Sequence, residues 1–139
     1  VLDLGCGSGI LSIAALRLGA AEAFACDIDD KCVDVAYENA AINSIGRDRY
    51  TVRWGNVVTD RALQKEFGGE YDVVVANIVA DVIIGISPQV RPFLRAGGLF
   101  LCSGIIDDRA EEVADHLRRD GWEILETHTS EGWFSFLCR

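Results

Sequence analysis

A glycine-rich turn follows the first strand-like segment of the chain. The segment spans residues 1–4, and the turn from Gly5 to Gly9 reads Gly-Cys-Gly-Ser-Gly. Because glycine has no Cβ, Gly5 and Gly7 can adopt unusual backbone dihedrals and let a ligand touch the main chain. The turn therefore predicts a ligand site at Gly5, Cys6 and Gly7. A plain tight turn is the alternative, and several nucleotide-binding folds share the motif.

Two side chains beside the turn bear on the charge of its ligand. The dinucleotide-binding fingerprint has a third glycine or alanine where this chain has Ile10. Asp3 lies inside the first predicted strand, where a buried carboxylate is costly unless it is paired. S-adenosylmethionine carries an ammonium and a sulfonium and no phosphate, so it suits Asp3 better than a pyrophosphate does. A local hydrogen bond from Asp3 to the amides of the turn is the alternative role, and the two can coexist.

Further candidate residues follow the second and third predicted strands. Asp27 ends the second strand, 22 residues after Gly5, where an acid of a βαβ unit accepts hydrogen bonds from ribose hydroxyls. We expect Ile28 to flank the adenine. Asn56 follows the third strand and is expected either to bond the adenine edge or only to form a turn.

Asn77 is the candidate catalytic residue and a further candidate for the cofactor site. It ends the fourth predicted strand, and ligands of open α/β sheets bind outside the carboxyl ends of the strands. We therefore expect Asn77 to share a crevice with Gly5 and Asp27 and to orient an incoming amine. A strand-end asparagine that only satisfies backbone groups is the alternative, and no general base is identified.

Strand-like and helix-period segments alternate along the chain, which is typical of a parallel sheet covered by helices. Only three residues separate the last two strands, so they form a hairpin. A break is expected near Ser87 in the fourth helix, because Pro88 and Pro92 lack backbone donors. The predicted strands span residues 1–4, 23–28, 50–54, 71–77, 98–104, 122–128 and 132–138, and the predicted helices span 10–18, 30–43, 59–67, 81–94 and 107–120.

Composition limits the class of protein. A length of 139 residues suits one domain. The net charge of −9 argues against direct nucleic-acid binding and suits a basic protein partner. No apolar run approaches the ~20 residues of a membrane span. The five cysteines contain no Cys-x-x-Cys pair, so no metal site is expected, and free thiols favour the cytoplasm.

The chain resembles the PrmA family, a family of class I methyltransferases. Members of the PrmA family act on the stalk-base protein of the large ribosomal subunit. The resemblance covers essentially all 139 residues, in the segments VLDLGCGSGILSIAALRLGA, CDIDD, VVVANIVADVIIGISPQVRPFLRAGGLFLCSGI and EGWFSFLCR. It implies an α/β, Rossmann-like fold of three layers, with a mostly parallel seven-stranded sheet that ends in an antiparallel hairpin. It also implies S-adenosylmethionine as methyl donor and lysine ε-amino and N-terminal α-amino groups of a ribosomal protein as acceptors. By this resemblance Gly5 and Gly7 match the cofactor loop, Asp27 the ribose-binding acid and Asn77 the active-site asparagine.

The chain departs from the family pattern in two places. The family has an N-terminal substrate-recognition domain and a linker ahead of the first strand, and the 139 residues of this sequence begin at that strand. Because the chain contains no methionine and opens inside a strand, we expect it to be an excerpt of a longer protein. Amide- and base-directed relatives use Asn-Pro-Pro-Tyr, whereas Asn77 is followed by Ile-Val-Ala. The resemblance therefore argues against nucleobases and glutamine amides as acceptors.

Three alternatives stay open at this point. A class I methyltransferase of another protein or of a small molecule has the same motifs. An NAD-dependent oxidoreductase shares the glycine turn but is disfavoured by Ile10 and Asp3. A non-catalytic module that binds an adenosyl ligand has the same site without the transfer reaction.

Overall fold

The computed structural model describes residues 1–139 and contains seven strands and five α-helices. The strands are β1 (Leu2–Leu4), β2 (Ala23–Asp27), β3 (Tyr50–Trp54), β4 (Tyr71–Asn77), β5 (Leu94–Ile106), β6 (Ile124–Ser130) and β7 (Trp133–Cys138). The helices are α1 (Ile10–Arg17), α2 (Lys31–Ile42), α3 (Arg61–Phe67), α4 (Ala80–Val90) and α5 (Asp107–Arg119). Every predicted element is present, and the bounds agree within two residues except at the end of α4 and the start of β5.

The strands form one seven-stranded sheet in the order β3-β2-β1-β4-β5-β7-β6, flanked by helices. β2 pairs in parallel with both β1 and β3, and β4 pairs in parallel with β5. β7 is antiparallel to both β5 and β6, as a hairpin requires. The predicted α/β fold with a terminal antiparallel hairpin is therefore confirmed. The single domain over residues 1–139 stays a prediction, since the chain divides into two compact units, Val1–Gly68 and Gly69–Arg139.

The unit Val1–Gly68 has a core built from small and medium apolar side chains. All three residues of β1 are buried, as expected for a parallel strand covered on both faces. Helices α1 and α2 pack toward β2 and β3 through residues spaced at helical intervals. The buried cluster contains Cys6, Ile13, Leu16, Ala23, Ala25, Ala36, Ala40, Ile45, Tyr50 and Val52.

The unit Gly69–Arg139 combines β4 to β7 with two longer helices. The inward face of α5 consists of Ala110, Val113, Ala114 and Leu117, as its spacing predicts, and all four are buried. In the hairpin, β6 is mostly exposed, and Phe136 and Cys138 of β7 are buried. Across the whole chain, no helix has the length and apolar character that crossing a bilayer demands.

Helix α4 runs through Pro88 without a break, so the predicted interruption near Ser87 is wrong. Pro88 has no N–H, and the carbonyl four residues earlier, on Ile84, therefore loses its helical donor. The hydroxyl of Ser87, which is fully buried, lies 3.4 Å from this Ile84 oxygen and also bonds the Asp120 carboxylate. The second proline falls in the following 3-10 turn, Arg91–Phe93, where its ring is tolerated.

Strand β5 starts four residues earlier than predicted because it contains a bulge. Tyr71 pairs with Leu94 and Val73 with Leu99, so β5 advances five residues while β4 advances two. The bulged segment contains Gly97, which lies outside the predicted strand, and Gly98, at which that strand was predicted to begin. Sequence periodicity therefore locates the regular part of β5 and misses its bulged start.

Candidate functional site

The glycine-rich turn has the left-handed backbone that only glycine adopts at low cost. The φ angles of Gly5, Gly7 and Gly9 are 76°, 51° and 82°. The amides of Gly5 and Cys6 both donate to the Cys26 carbonyl, at 2.9 and 3.0 Å, which anchors the turn to the end of β2. The sequence pattern Gly-x-Gly-x-Gly therefore corresponds to three backbone positions with the same unusual conformation.

Gly9 has a second reason to be glycine, because the chain packs tightly against it. A Cβ atom there would lie 2.8 Å from the Tyr50 hydroxyl and 3.1 Å from the Ala36 Cβ. At Gly7, in contrast, a Cβ atom would meet no atom within 4 Å. The open space at Gly7 leaves the backbone of the turn accessible to a ligand, whereas Gly9 serves the packing of α2 and β3.

Asp27 closes the turn from the other side. Its carboxylate accepts a hydrogen bond from the Gly7 amide at 2.8 Å and another from the Asp29 amide at 3.0 Å. A carboxylate has about four acceptor positions, and the two amides do not fill them, so Asp27 can still accept from the hydroxyl groups of a ligand. The predicted ribose-binding acid therefore lies in direct contact with the glycine turn, and the structure brings Gly5, Cys6, Gly7 and Asp27 together.

Asp3 is buried, with 1% of its surface exposed. Its Oδ2 accepts hydrogen bonds from the Ser12 hydroxyl at 2.6 Å and the Ser12 amide at 3.2 Å. The local partner is thus the first turn of α1 and not the amides of the glycine turn. Burial raises the pKa of Asp3, the Ser12 hydrogen bonds oppose that rise, and the charge of Asp27 adds to it. A cation placed close to Asp3 and Asp27 would oppose this rise and favour the charged form of Asp3.

Asp3 leads to an expected pH dependence of stability. Because its pKa is higher in the folded chain than in the unfolded one, its stabilising contribution is complete below the unfolded pKa and is lost as the pH rises through the folded pKa. Each unit of difference corresponds to about 1.4 kcal/mol. We expect the wild type to lose free energy of unfolding relative to Asp3→Asn over this range, measured by urea denaturation. Asp34→Asn, at an exposed acid of α2, should follow the wild-type profile, and a pH-independent difference for Asp3→Asn would contradict the assignment.

Cys6 contributes its backbone to the turn and keeps its side chain in the core. Cys6 is 6% exposed, and its Sγ lies 3.9 Å from the Gly7 carbonyl oxygen. Burial, followed by the charges of Asp3 and Asp27, raises its pKa well above the usual value for cysteine. A neutral, buried thiol is not a nucleophile, so any part that Cys6 plays in binding runs through its main chain.

An exposed apolar surface lies beside Asp27. Ile28 is 73% exposed, and the indole N–H of Trp54, itself 67% exposed, donates to the Ile28 carbonyl at 3.1 Å. Sequence reasoning missed Trp54, whose signal is a large aromatic side chain at the end of a strand next to a polar loop. Ile28 and Trp54 together offer an apolar surface next to the predicted ribose-binding acid.

Asn56 forms a local turn, which is one of the two roles that the sequence analysis considered for it. Its side-chain oxygen accepts from the Val58 amide at 2.9 Å, and its carbonyl accepts from the Thr59 and Asp60 amides. The preceding Gly55 amide donates to the Asp27 carbonyl at 2.9 Å. Asn56 thus lies in the loop next to Asp27, and its contact with an adenine edge stays a prediction.

Asn77 is exposed at the end of β4, and its position depends on a glycine of β5. A Cβ atom at Gly104 would lie 2.7 Å from the Asn77 side-chain oxygen, and Gly104 has a φ of 81°. The Ile78 amide donates to the Ser103 carbonyl at 3.1 Å and holds the end of β4 against β5. Sequence reasoning missed Gly104, which permits the observed position of the Asn77 amide.

Gly104→Ala is expected to displace the Asn77 side chain, because the added Cβ atom would lie too close to its oxygen. The strained φ costs about 1–3 kcal/mol of stability in addition. Gly132→Ala is the matched control, because Gly132 has the same φ of 81° and no atom within 4 Å of an added Cβ. Thermal unfolding measures the cost in stability, and the side-chain amide signal of Asn77 in nuclear magnetic resonance measures its displacement. An Asn77 signal that shifts no more in Gly104→Ala than in Gly132→Ala would show that Gly104 does not position Asn77.

The sheet order, with the antiparallel strand β7 placed between β5 and β6, is that of class I methyltransferases. The model of the ribosomal protein L11 methyltransferase (PrmA) family matches residues 1–139, so the chain belongs to this family. The resemblance found from the sequence segments is therefore confirmed.

Individual relatives agree with this family. Proteins named ribosomal protein L11 methyltransferase are 44% identical in Agathobacter rectalis and 42% identical in Caldanaerobacter subterraneus, over all of this chain. The chain spans only 43% and 42% of the length of these two relatives. A crystal structure of ribosomal protein L11 methylase from Lactobacillus delbrueckii has a TM-score of 0.89 at 30% identity, covering 99% of this chain and 68% of that one. The CcbJ methyltransferase of Streptomyces caelestis, at 16% identity, shares the fold with a TM-score of 0.80 over 99% of this chain and 82% of its own.

Proposed function

We propose that this chain is the cofactor-binding part of an S-adenosylmethionine-dependent N-methyltransferase. The observation that carries the proposal is the pair of carboxylates at the glycine turn, buried Asp3 and the Gly7-bonded Asp27. A negative charge on either carboxylate makes it costly to bring a negatively charged ligand close to the turn. The pair therefore disfavours a pyrophosphate and favours a cationic ligand. Ile10, which is 67% exposed, stands where a dinucleotide site has a small residue.

The residues of this unit fit the chemical groups of S-adenosylmethionine. Asp27 has acceptor positions left for the ribose hydroxyls, and Ile28 and Trp54 offer apolar contact to the adenine. Gly5, Cys6 and Gly7 supply backbone for close approach, and Asp3 provides a negative charge for the cationic end. The cofactor, when bound, supplies an activated methyl group on a positively charged sulfur.

The proposed acceptors are lysine ε-amino and N-terminal α-amino groups of a large-subunit ribosomal protein. The names of the relatives support this substrate, and the acidic chain, with a net charge of −9, suits a basic protein. A lysine has an ordinary pKa of about 10.4, so loss of its proton at neutral pH costs about 4–5 kcal/mol. The site therefore has to favour the neutral amine, which exclusion of water accomplishes.

Asn77 is proposed to orient that amine. It is exposed at the carboxyl end of a parallel strand, which is where ligands of open α/β sheets bind. Its side-chain oxygen can accept a hydrogen bond from the amine and leave the lone pair directed at the methyl group.

The proposed location is the cytoplasm, which the five free cysteines support.

Binding and transfer assays test the proposal separately. Calorimetric titration should show saturable binding of S-adenosylmethionine and none of NAD at the same concentration. Incubation with radiolabelled S-adenosylmethionine and a purified large-subunit ribosomal protein should then label lysine or the N-terminus, as located by mass spectrometry. Binding of NAD alone would indicate an oxidoreductase, and cofactor binding without transfer to any basic protein would indicate a non-catalytic module.

A further inference from the structure

A second concave site lies in the unit Gly69–Arg139 and is lined by arginines. It is a cavity of about 240 Å³. Three arginines line it, Arg91, Arg95 and Arg139, together with Trp122 and the residues Leu94, Ala96, Gly97 and Gly98 of β5. None of these residues was a candidate in the sequence analysis, because they come from three separate parts of the chain.

The bulge of β5 creates one wall of this cavity. Between Leu94 and Leu99 the strand leaves the regular ladder with β4, and Gly97 adopts a φ of 75°. A Cβ atom at Gly97 would meet no atom within 4 Å, so the backbone there borders open space. Turns that contain left-handed residues commonly form concave surfaces that bind anions.

Each of the three guanidinium groups keeps donors for a ligand. Arg91 stacks on the Trp122 ring at 4.1 Å and donates to the Gly121 carbonyl. Arg95 donates through Nε to Asp72 at 2.6 Å, and Arg139 donates through Nη2 to Glu123 at 2.9 Å. A guanidinium carries five N–H donors, so most of them remain available. Asp72 and Glu123 are 72% and 63% exposed, and such exposed ion pairs hold an arginine only weakly.

This concentration of positive charge is unusual for its unit. Residues 69–139 contain six arginines, no lysine and twelve acidic residues. Half of the arginines line a single small cavity, in a unit that is otherwise strongly acidic. Clustered guanidinium groups bind phosphate through paired, charge-assisted hydrogen bonds.

We propose that this cavity is a phosphate-binding site. Its volume lies below the roughly 300–1,000 Å³ of sites for drug-sized ligands, so it suits one phosphate group. The group belongs either to a small phosphate ester or to a polynucleotide backbone.

Within this unit the site is separate from Asn77, because Tyr71 pairs with Leu94 at one end of the β4–β5 ladder and Asn77 pairs with Ser103 at the other. At about 3.3 Å per residue the two ends are roughly 20 Å apart.

Nuclear magnetic resonance of the ¹⁵N-labelled chain tests the site directly. Inorganic phosphate, added at constant ionic strength, should shift the amide signals of Gly97 and Gly98 and the Arg95 Nε signal with one saturable curve. The double variant Arg95→Gln/Arg139→Gln should weaken this binding by about tenfold or more. Arg118→Gln is the matched control, since Arg118 is an exposed, acid-paired arginine of the same unit outside the cavity, and its affinity for phosphate should equal that of the wild type.

Two further titrations, with RNA and with S-adenosylmethionine, identify the source of the phosphate and test the two sites independently. A short single-stranded RNA that shifts the same signals at lower concentration, with strong salt dependence, assigns the group to a nucleic-acid backbone. Shifts with inorganic phosphate and not with RNA assign it to a small ester. The absence of saturable shifts at Gly97 and Gly98, or equal weakening in Arg118→Gln, would overturn the proposal. S-adenosylmethionine titrated into the same sample should shift Gly5 and Gly7, so failure of one site leaves the other testable.

Discussion

Replacing Asp27 with alanine is expected to weaken S-adenosylmethionine binding by about 1–3 kcal/mol, the range for hydrogen bonds to a charged group. Two losses contribute to this effect. The ligand loses an acceptor for its ribose hydroxyls, and the Gly7 amide, which donates to Asp27 at 2.8 Å, loses the bond that fixes the turn. Isothermal titration calorimetry measures the change, and circular dichroism checks that the variant remains folded.

Two control variants separate these contributions. Asp34→Ala removes one negative charge from the same unit, at an exposed position in the first turn of α2, and should leave the affinity nearly unchanged. Asp27→Asn keeps the shape and one acceptor oxygen, so it should hold the turn better than alanine and still bind the ligand less tightly than the wild type. If folded Asp27→Ala binds S-adenosylmethionine as tightly as the wild type, Asp27 has no part in the site.

The glycine turn and its acid were predictable because their signals are local. Three glycines in alternation permit the left-handed backbone that the structure shows, and they follow directly on the strand-like segment. Asp27 follows from the fixed spacing of a βαβ unit. The partner of Asp3 was not predictable in the same way, because the buried Ser12 hydroxyl reaches it only through the packing of α1 against β1.

The features that the sequence missed depend on contacts between residues far apart in the chain. Pro88 predicts a broken helix from local chemistry, yet the buried Ser87 hydroxyl lies near the carbonyl that Pro88 leaves without a donor. The Trp122 indole also donates to the Ser87 carbonyl at 3.1 Å and packs the same region. Gly104 has no motif around it, and its importance appears only when the Asn77 oxygen is found 2.7 Å from its hypothetical Cβ.

Asn77→Ala is expected to lower kcat for methyl transfer by about 10–100-fold, while the Kd for S-adenosylmethionine changes by less than about twofold. The physical reason is that the proposed hydrogen bond from the amine to the side-chain oxygen orients the acceptor and leaves cofactor binding unaffected. Single-turnover rates with preformed cofactor complex measure the transfer step, and calorimetry measures the cofactor affinity of the same preparation.

Asn77→Asp distinguishes an orienting oxygen from a structural amide. Aspartate keeps an acceptor oxygen in nearly the same place, so its rate should exceed that of the alanine variant at alkaline pH, where the amine is already neutral. The added carboxylate stabilises the protonated amine and raises its pKa, so the fall in rate with decreasing pH should begin at a higher pH for Asn77→Asp than for the wild type. The reverse result, in which cofactor affinity falls and the transfer rate is unchanged, would make Asn77 a cofactor-binding residue and remove it from the handling of the acceptor.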